Sequence, residues 1–371
     1  MPDLFSIQAL VCLSLYSCLI LIFFAGWLRT KKFKPDLKTP IITVSILIPC
    51  KDEAENIPEL IDLLNSQQYP GELIEVICID DHSTDTTSKI LSLQAEKQKN
   101  YHFVKLPEQK SGKKAALKAG MESATGTLIL LTDADSRPGP LWVQTMVSFF
   151  TDTGNDLILG PVILEASTGV FNQIQKLEYL SLVASSIGAA GIGCPIMAQG
   201  PNMGVRASDY RVFVNNLDNR FESGDDVFLL QAMKNDRKKK IAYVLSTDAI
   251  VRSKPAKTLA GFMHQRSRWA SKASGYRNPL LLFTTLIVFG ANLEILAALA
   301  GSLFFMVPFH LTMILLGIKI VADLPLLLAA IRFFRSPKLL IWIIPIQALY
   351  PLYVTIAGIL SQISPVHWKN D

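Results

Sequence analysis

Apolar positions follow two different patterns along this chain. Residues 4–28 (LFSIQALVCLSLYSCLILIFFAGWL) run without a charge, and three more long apolar stretches occupy about 280–305, 309–331 and 339–361. About 20 apolar residues cross the hydrocarbon layer of a bilayer as a helix, so each stretch predicts a transmembrane span. Between the first and second spans the runs shorten. ITVSILIP (42–49) and LIEVICID (73–80) are continuous and β-branched, as strands buried on both faces are. YHFVKL (101–106) and GTLILLTD (126–133) predict two further strands, and helices are predicted within 52–66, about 84–99 and 113–123. Strands alternating with helices predict an α/β fold with a mostly parallel sheet and right-handed crossovers. In such sheets ligands bind beyond the carboxyl ends of the strands. No internal repeat or low-complexity segment is evident.

Charge gives the expected spans a direction. The first is followed by Arg29, Lys31, Lys32 and Lys34, whereas the only charge before it is Asp3. A cleaved signal peptide has the reverse order, so a retained anchor is expected. The positive-inside rule then puts the N-terminus outside and the central region in the cytoplasm, with a cell inner membrane as the setting. The loop RFFRSPK (332–338), with Arg332, Arg335 and Lys338, falls on the same side. These clusters account for the formal charge of +5 without a nucleic-acid partner, and they attract anionic membrane lipids. Half of the 371 residues are hydrophobic and 18% are charged, which is apolar for a soluble chain. The expected organisation is an anchor at 1–34, a cytoplasmic domain at 35–275 opening on a Pro-bearing linker (35–40), and a membrane region at 276–371. Cysteines 12, 18, 50, 78 and 194 lack metal-ligand spacing and are expected to be free thiols. Glu294, Lys319 and Asp323 fall within predicted spans; Lys319 and Asp323, at i and i+4, predict an internal ion pair.

Several polar motifs fall at the ends of predicted strands. Asp133-Ala134-Asp135 sets two carboxylates two residues apart, which on extended chain would point the same way. Such a pair suits a hard divalent cation completed by substrate phosphates. Asp80-Asp81 closes the second strand, leaving Ser83, Thr84 or Asp85 to cap the next helix and the two aspartates to take hydrogen bonds from a base and a ribose. Lys113, just after Ser111-Gly112, opens a helix as either a phosphate contact or a solvated lysine. Gly224-Asp225-Asp226 precedes an apolar helix. There its acids either favour the helix N-terminus or supply, through Asp226, a general base. Gln265, Arg268 and Trp269 share one helical face, and an arginine fork at that position suits a diphosphate.

Together these segments resemble the family 2 glycosyltransferases over about 40–275, particularly the membrane branch of cellulose, chitin, hyaluronan and poly-N-acetylglucosamine synthases. VSILIPCKDEAENI is similar to that family's first strand and nucleotide-contact segment, with Pro49 and Glu53 on it. ICIDDHSTD matches the uridine-contacting segment at Asp80 and Asp81, and SGKKAALKAG matches at Gly112 and Lys113, with Lys118 where asparagine is common. GPNMGVR (200–206) resembles the acceptor-side segment. Asp133 and Asp135 match the metal-binding D-x-D, Asp226 the catalytic base, and Gln265, Arg268 and Trp269 the Q-x-x-R-W motif. Asp225 stands where glutamate is usual.

The resemblance implies a GT-A fold and inverting transfer from a UDP-sugar. Mg²⁺ or Mn²⁺ on Asp133 and Asp135, with Arg268, would stabilise the leaving diphosphate while Asp226 deprotonates the acceptor. Asp225, Gln265, Trp269 and the helix around QIQKLEYLSL (173–182) would hold that acceptor. A growing polysaccharide is the first expectation, and single transfer to a membrane lipid, as in ceramide glucosyltransferases, the alternative. Polyprenyl-phosphate sugar transferases generally lack Q-x-x-R-W and are less expected. From another class, a transporter or receptor with a degenerate transferase domain would also use intramembrane charges; the intact acidic set argues against it. Partner subunits are not legible.

Overall fold

The computed structural model describes residues 4–36, 38, 41–165, 168–214, 224–236, 238–276 and 278–363. Asp3 and, from the expected linker, Leu37, Thr39 and Pro40 lie outside the described residues, as do 364–371 of the membrane region. In chain order the elements are α1 (Leu4–Arg29), β1 (Val44–Cys50), α2 (Ile57–Asn65), β2 (Ile74–Asp80), α3 (Thr87–Lys97), β3 (Tyr101–Lys105), α4 (Lys113–Ser123) and β4 (Leu128–Leu131). There follow β5 (Arg137–Pro138), α5 (Trp142–Thr153), β6 (Leu157–Leu159), β7 (Val162–Leu164), α6 (Val170–Gly191), β8 (Met203–Arg206), α7 (Ala207–Val214) and α8 (Asp225–Asn235). The chain continues through β9 (Ile241–Tyr243), β10 (Val251–Ser253), α9 (Leu259–Ser271), α10 (Pro279–Leu303), α11 (Phe309–Phe333) and α12 (Ile343–Ile363). They fall into two compact units. One comprises Thr30–Glu165 and Met197–Lys254; the other comprises Met1–Arg29, Ala166–Ile196 and Pro255–Asp371.

The first unit is the α/β part. Its main sheet has the order β3-β2-β1-β4-β8-β6-β9, and β5, β10 and β7 form a second, small sheet. Strands β3, β2, β1 and β4 are mutually parallel, while β8 runs antiparallel to both β4 and β6. All seven residues of β1 and all four of β4 are buried, as expected for central strands covered on both faces. Register then fixes the functional geometry. Cys50 is paired with Asp80 and Leu47 with Leu131, so the loops after β1, β2 and β4 leave from one edge. Helix α4 seats closely on this sheet: a methyl group at Gly120 would come within 2.7 Å of Ile79 Cδ1. Asn202, fully buried, ties distant loops together. It accepts from Trp142 Nε1 at 2.9 Å and donates to the carbonyls of Pro161 (2.9 Å) and Ala249 (2.7 Å). This asparagine of GPNMGVR is therefore committed to holding the fold.

The second unit is helical. Four of its segments are long and apolar enough to cross a membrane: Phe5–Arg29, Pro279–Leu303, Phe309–Phe333 and Pro337–Ser361. They match the four expected spans within a few residues, the last beginning as a 3-10 turn at Pro337–Trp342. Helix α6 extends the helix expected around 173–182 at both ends, and it packs against α1 through glycines. A methyl group on Gly26 would lie 1.9 Å from Gly188 O, and one on Gly188 would lie 2.2 Å from Phe23 O. Only glycine allows backbones to approach this closely. Lys319, 1% exposed, donates to Asp323 Oδ2 (2.7 Å) and Gln347 Oε1 (2.5 Å), and Tyr16 OH donates to Asp323 Oδ1 (2.6 Å). The expected i, i+4 ion pair is thus part of a network joining α1, α11 and α12. Glu294 accepts from Gln8 Nε2 at 2.6 Å, linking α10 to α1.

Candidate functional site

The rim of the main sheet begins with two loops laced together. Pro49 lies within β1, and the chain then turns through Asp52 at φ 51°. Asp52 Oδ1 accepts from the Thr84 and Asp85 amides at 2.7 and 3.3 Å, and the Asp52 amide donates to Ser83 Oγ at 3.0 Å. The Glu53 amide donates to Thr87 Oγ1 at 2.7 Å, while its Oε2 accepts from Asn56 Nδ2 at 2.5 Å. Ser83 and Thr84, expected as caps, instead bind Asp52; Asp85 Oδ1 takes the Thr87 amide at 2.9 Å at the start of α3. His82 also sits at positive φ, 54°. Two non-glycine residues in this region cost on the order of 1–3 kcal/mol each, strain that typically collects at ligand sites.

Asp80 and Asp81 stand at the end of β2, 0% and 1% exposed. Asp80 Oδ1 meets the Ser83 amide at 3.4 Å, and Asp81 Oδ2 accepts the Gly112 amide at 2.9 Å. Gly112 takes φ 92°, a backbone shape that a side chain would strain. Asp80 Oδ2 and Asp81 Oδ1 are buried without a hydrogen-bond partner among the described residues. Buried carboxylate oxygens left so are rare and point to a missing donor.

Lys113 is the hub of the site. Its side chain is 13% exposed, and its Nζ lies 2.7 Å from Asp133 Oδ1 and 3.6 Å from Asp225 Oδ2. A methyl group at Gly200 would lie 3.3 Å from the same nitrogen and 3.6 Å from Asp226 Oδ2, and the Gly200 amide donates to that oxygen at 3.2 Å. Four sequence-predicted residues, Lys113, Asp133, Asp225 and Asp226, are therefore brought together from α4, the β4 loop and the first turn of α8. Burial acts to lower the lysine's pKa, but the Asp133 and Asp225 charges, with Asp226 behind them, outweigh it and hold it above the usual lysine range. Tyr210, fully buried on α7, has its hydroxyl pKa raised by burial and by the Asp225 charge, and that hydroxyl has no hydrogen-bond partner among the described residues.

Asp133 and Asp135 are on a turn rather than on extended chain. Strand β4 ends at Leu131, and the Ser136 amide closes back on Asp133 O at 3.0 Å. Asp133 keeps 30% of its side chain exposed, and Asp135 Oδ2 meets Ser253 Oγ at 3.5 Å. Among the described residues no group of three or more His, Cys, Asp or Glu is placed to hold a metal ion. Two carboxylates still fit Mg²⁺-type binding, in which substrate phosphates and water complete the oxygen shell.

Gln265, Arg268 and Trp269 belong to the helical unit, on α9. Their neighbour Arg266, which the sequence pattern did not single out, is the buried one, 5% exposed. Its Nε donates to Glu178 Oε1 at 3.0 Å and its NH2 to Glu178 Oε2, and its guanidinium lies 4.5 Å over Phe262 and 4.2 Å over Trp269. Trp269 also meets Tyr179, ring centroids 6.0 Å apart.

Residues 45–208 match Glycosyl transferase family 2, and residues 128–357 match Glycosyl transferase family group 2. Glycosyltransferase AglE of Haloferax volcanii is 33% identical over 119 residues, 32% of this chain and 39% of that protein. An undecaprenyl-phosphate 4-deoxy-4-formamido-L-arabinose transferase of Klebsiella pneumoniae is 28% identical over 162 residues, 43% of this chain and 49% of its own. This chain thus spans less than half the length of either curated relative. In fold it is similar to the mannosyltransferase PcManGT of Pyrobaculum calidifontis, solved with GDP-Man and Mn²⁺. That likeness has a TM-score of 0.57 at 18% identity and covers 96% of this chain and 99% of that one. With a mostly parallel sheet of this kind and two family matches that together run from 45 to 357, this chain belongs to glycosyl transferase family 2.

Proposed function

We propose that this chain is an inverting glycosyltransferase that moves a sugar from a nucleotide sugar, UDP-linked by its sequence motifs, to an acceptor carried by a membrane lipid. The carrying observation is Lys113 bridging Asp133 and Asp225 with Asp226 beside them, in the same unit as two buried carboxylate oxygens on Asp80 and Asp81 that lack a partner among the described residues. The unpartnered oxygens suit N–H and O–H donors of a nucleoside. Asp226 suits a general base: the Gly200 and Val227 amides, at 3.2 and 2.8 Å, orient its carboxylate. In the step, the acceptor oxygen bonds to the anomeric carbon as its proton passes to Asp226. The bond from that carbon to the diphosphate breaks, and its electron pair leaves with the diphosphate. One displacement inverts the anomeric centre. Lys113 holds Asp133 and Asp225 in place, and the chemistry of an arginine such as Arg268 suits a diphosphate. Asp133 and Asp135 would hold Mg²⁺ or Mn²⁺ with the nucleotide, and such a cation neutralises the charge of the departing group.

The lipid acceptor now ranks above the growing polysaccharide that the motifs suggested first. It is supported by similarity to a transferase whose name carries undecaprenyl phosphate, and by four spans among the described residues, few for a polymer channel. A polysaccharide keeps one specific support, Gln265, Arg268 and Trp269 together on α9. The basic residues at 29–34 and 332–338 favour an N-out anchor with the α/β unit in the cytoplasm of an inner membrane. Membranes containing the protein, supplied with labelled UDP- and GDP-sugars, test the reading. Label extracted into the lipid phase as a single sugar is expected, high-mass polymer would favour the second acceptor, and no transfer from any donor would overturn the proposal.

A further inference from the structure

Arg266 lies inside the Gln265–Trp269 segment without belonging to the predicted face, yet it is the best-anchored side chain there. Glu178, on α6 and 1% exposed, receives it through both carboxylate oxygens. Tyr353 OH, from α12, donates to Glu178 Oε1 at 2.8 Å and completes that carboxylate. The remaining guanidinium nitrogen, NH1, donates to Gln265 Oε1 at 2.6 Å. Two aromatic rings, Phe262 and Trp269, lie against the guanidinium. A guanidinium has donors and no acceptor, so the amide atom of Gln265 facing it must be the oxygen. The Gln265 NH₂ group is then turned away from Arg266, and it has no partner among the described residues.

We propose that Arg266, held by Glu178 and Tyr353, is a positioning residue that fixes two neighbours for the acceptor: it aims the Gln265 amide so that its NH₂ donates to an acceptor oxygen, and it holds the Trp269 ring by stacking. The acceptor group that Gln265 recognises is thus a hydrogen-bond acceptor, a phosphate or hydroxyl oxygen, and not an N–H. This rests on the lipid-linked transfer proposed above. It adds a polar specificity that the motif alone does not state, since glutamine can present either end.

The obvious single variants leave a buried charge without its partner and are expected to destabilise the protein. The informative variant is therefore the double Glu178→Met/Arg266→Leu, which removes both charges, compared with Gln265→Glu. Gln265→Glu keeps an oxygen for Arg266 but loses the donor. Transfer is measured with undecaprenyl phosphate and with dodecyl glucoside, which distinguish a phosphate from a hydroxyl acceptor. In the double variant the thermal midpoint is expected to stay near wild type while KM for the acceptor rises on the order of tenfold. KM for the nucleotide sugar should move less than about twofold. Gln265→Glu should raise the acceptor KM at least as much. A double variant that keeps both midpoint and acceptor KM would reduce the cluster to packing and overturn the proposal. The emission of Trp269, isolated by difference against Trp269→Phe, supplies a reading that needs no turnover. It is expected to shift when Arg266 is lost, and an unchanged Trp269 contribution overturns the proposal. If wild type transfers to neither acceptor, the lipid-acceptor function fails, and the Trp269 reading still decides the positioning role.

Discussion

Replacing Lys113 with Met keeps the length of the side chain and removes its charge. The lysine is 13% exposed and lies between Asp133, 30% exposed, and Asp225, 7% exposed. Asp133 can regain water when the ammonium is lost, so its share of the interaction is screened and small. Asp225 cannot, and a buried carboxylate left without its cation costs about 3–5 kcal/mol. Nζ is 3.6 Å from Asp225 rather than at ideal contact, which places the expectation at the lower end, about 3 kcal/mol. For a domain of about 200 residues that corresponds to a fall of roughly 6–12 °C in the midpoint. Thermal unfolding of the detergent-solubilised full chain measures it, followed by tryptophan emission with and without UDP. The double variant Lys113→Met/Asp225→Asn should recover most of the loss, because the buried negative charge is removed together with the ammonium. A single variant within about 0.5 kcal/mol of wild type, or a double variant no better than the single, would refute the bridging role.

Further expectations concern acid, the membrane network and the cation. Burial acts to raise the Glu75 pKa, but hydrogen bonds from Ser45, Thr125 and the Gly126 amide outweigh it, so the carboxyl stays below its usual range. A depressed folded-state pKa contributes stability that is present above the unfolded value and is lost as pH falls through the folded one. Glu75→Gln should therefore flatten the loss of stability below about pH 4.5 and leave the slope at neutral pH unchanged, as denaturant titrations across pH would show. Lys319→Met should weaken the helical unit by leaving Asp323 uncompensated, while Lys319→Met/Asp323→Leu restores it, read as the midpoint in bilayer nanodiscs. Chelation should stop transfer without lowering the midpoint. Calorimetry should detect Mn²⁺ binding with UDP present but not in its absence, because among the described residues no group of three or more His, Cys, Asp or Glu is placed to hold the ion without phosphate oxygens.

The parts legible in the sequence were those whose pattern is local. Continuous β-branched runs gave β1 and β2, and charge-free stretches gave the four spans. The i, i+4 spacing gave the Lys319–Asp323 pair. The acidic rim was legible because parallel strands must deliver their carboxyl ends to one edge. The centrality of Lys113 was not, since a lysine opening a helix reads as solvated until Asp133 and Asp225 are folded onto it. Helix α6 was read only around 173–182; its full extent escaped because it mixes Gln175, Glu178 and several serines into an apolar helix whose polar groups are satisfied by neighbours far along the chain. Asp133 and Asp135 shared a motif but not the extended geometry expected, because the Ser136 amide turns the chain there. Arg266 was overlooked for a similar reason. Its partner Glu178 is 88 residues away, and no local period connects them.

The account turns most directly on Asp226. The measurement is transfer of labelled sugar to extracted lipid by wild type and by Asp226→Asn at matched expression, with UDP affinity of each determined in parallel. The account predicts that UDP binds both proteins alike while the variant loses transfer by at least about a hundredfold, the scale of a general base. Equal transfer by the two proteins would contradict it and remove Asp226 from the chemistry.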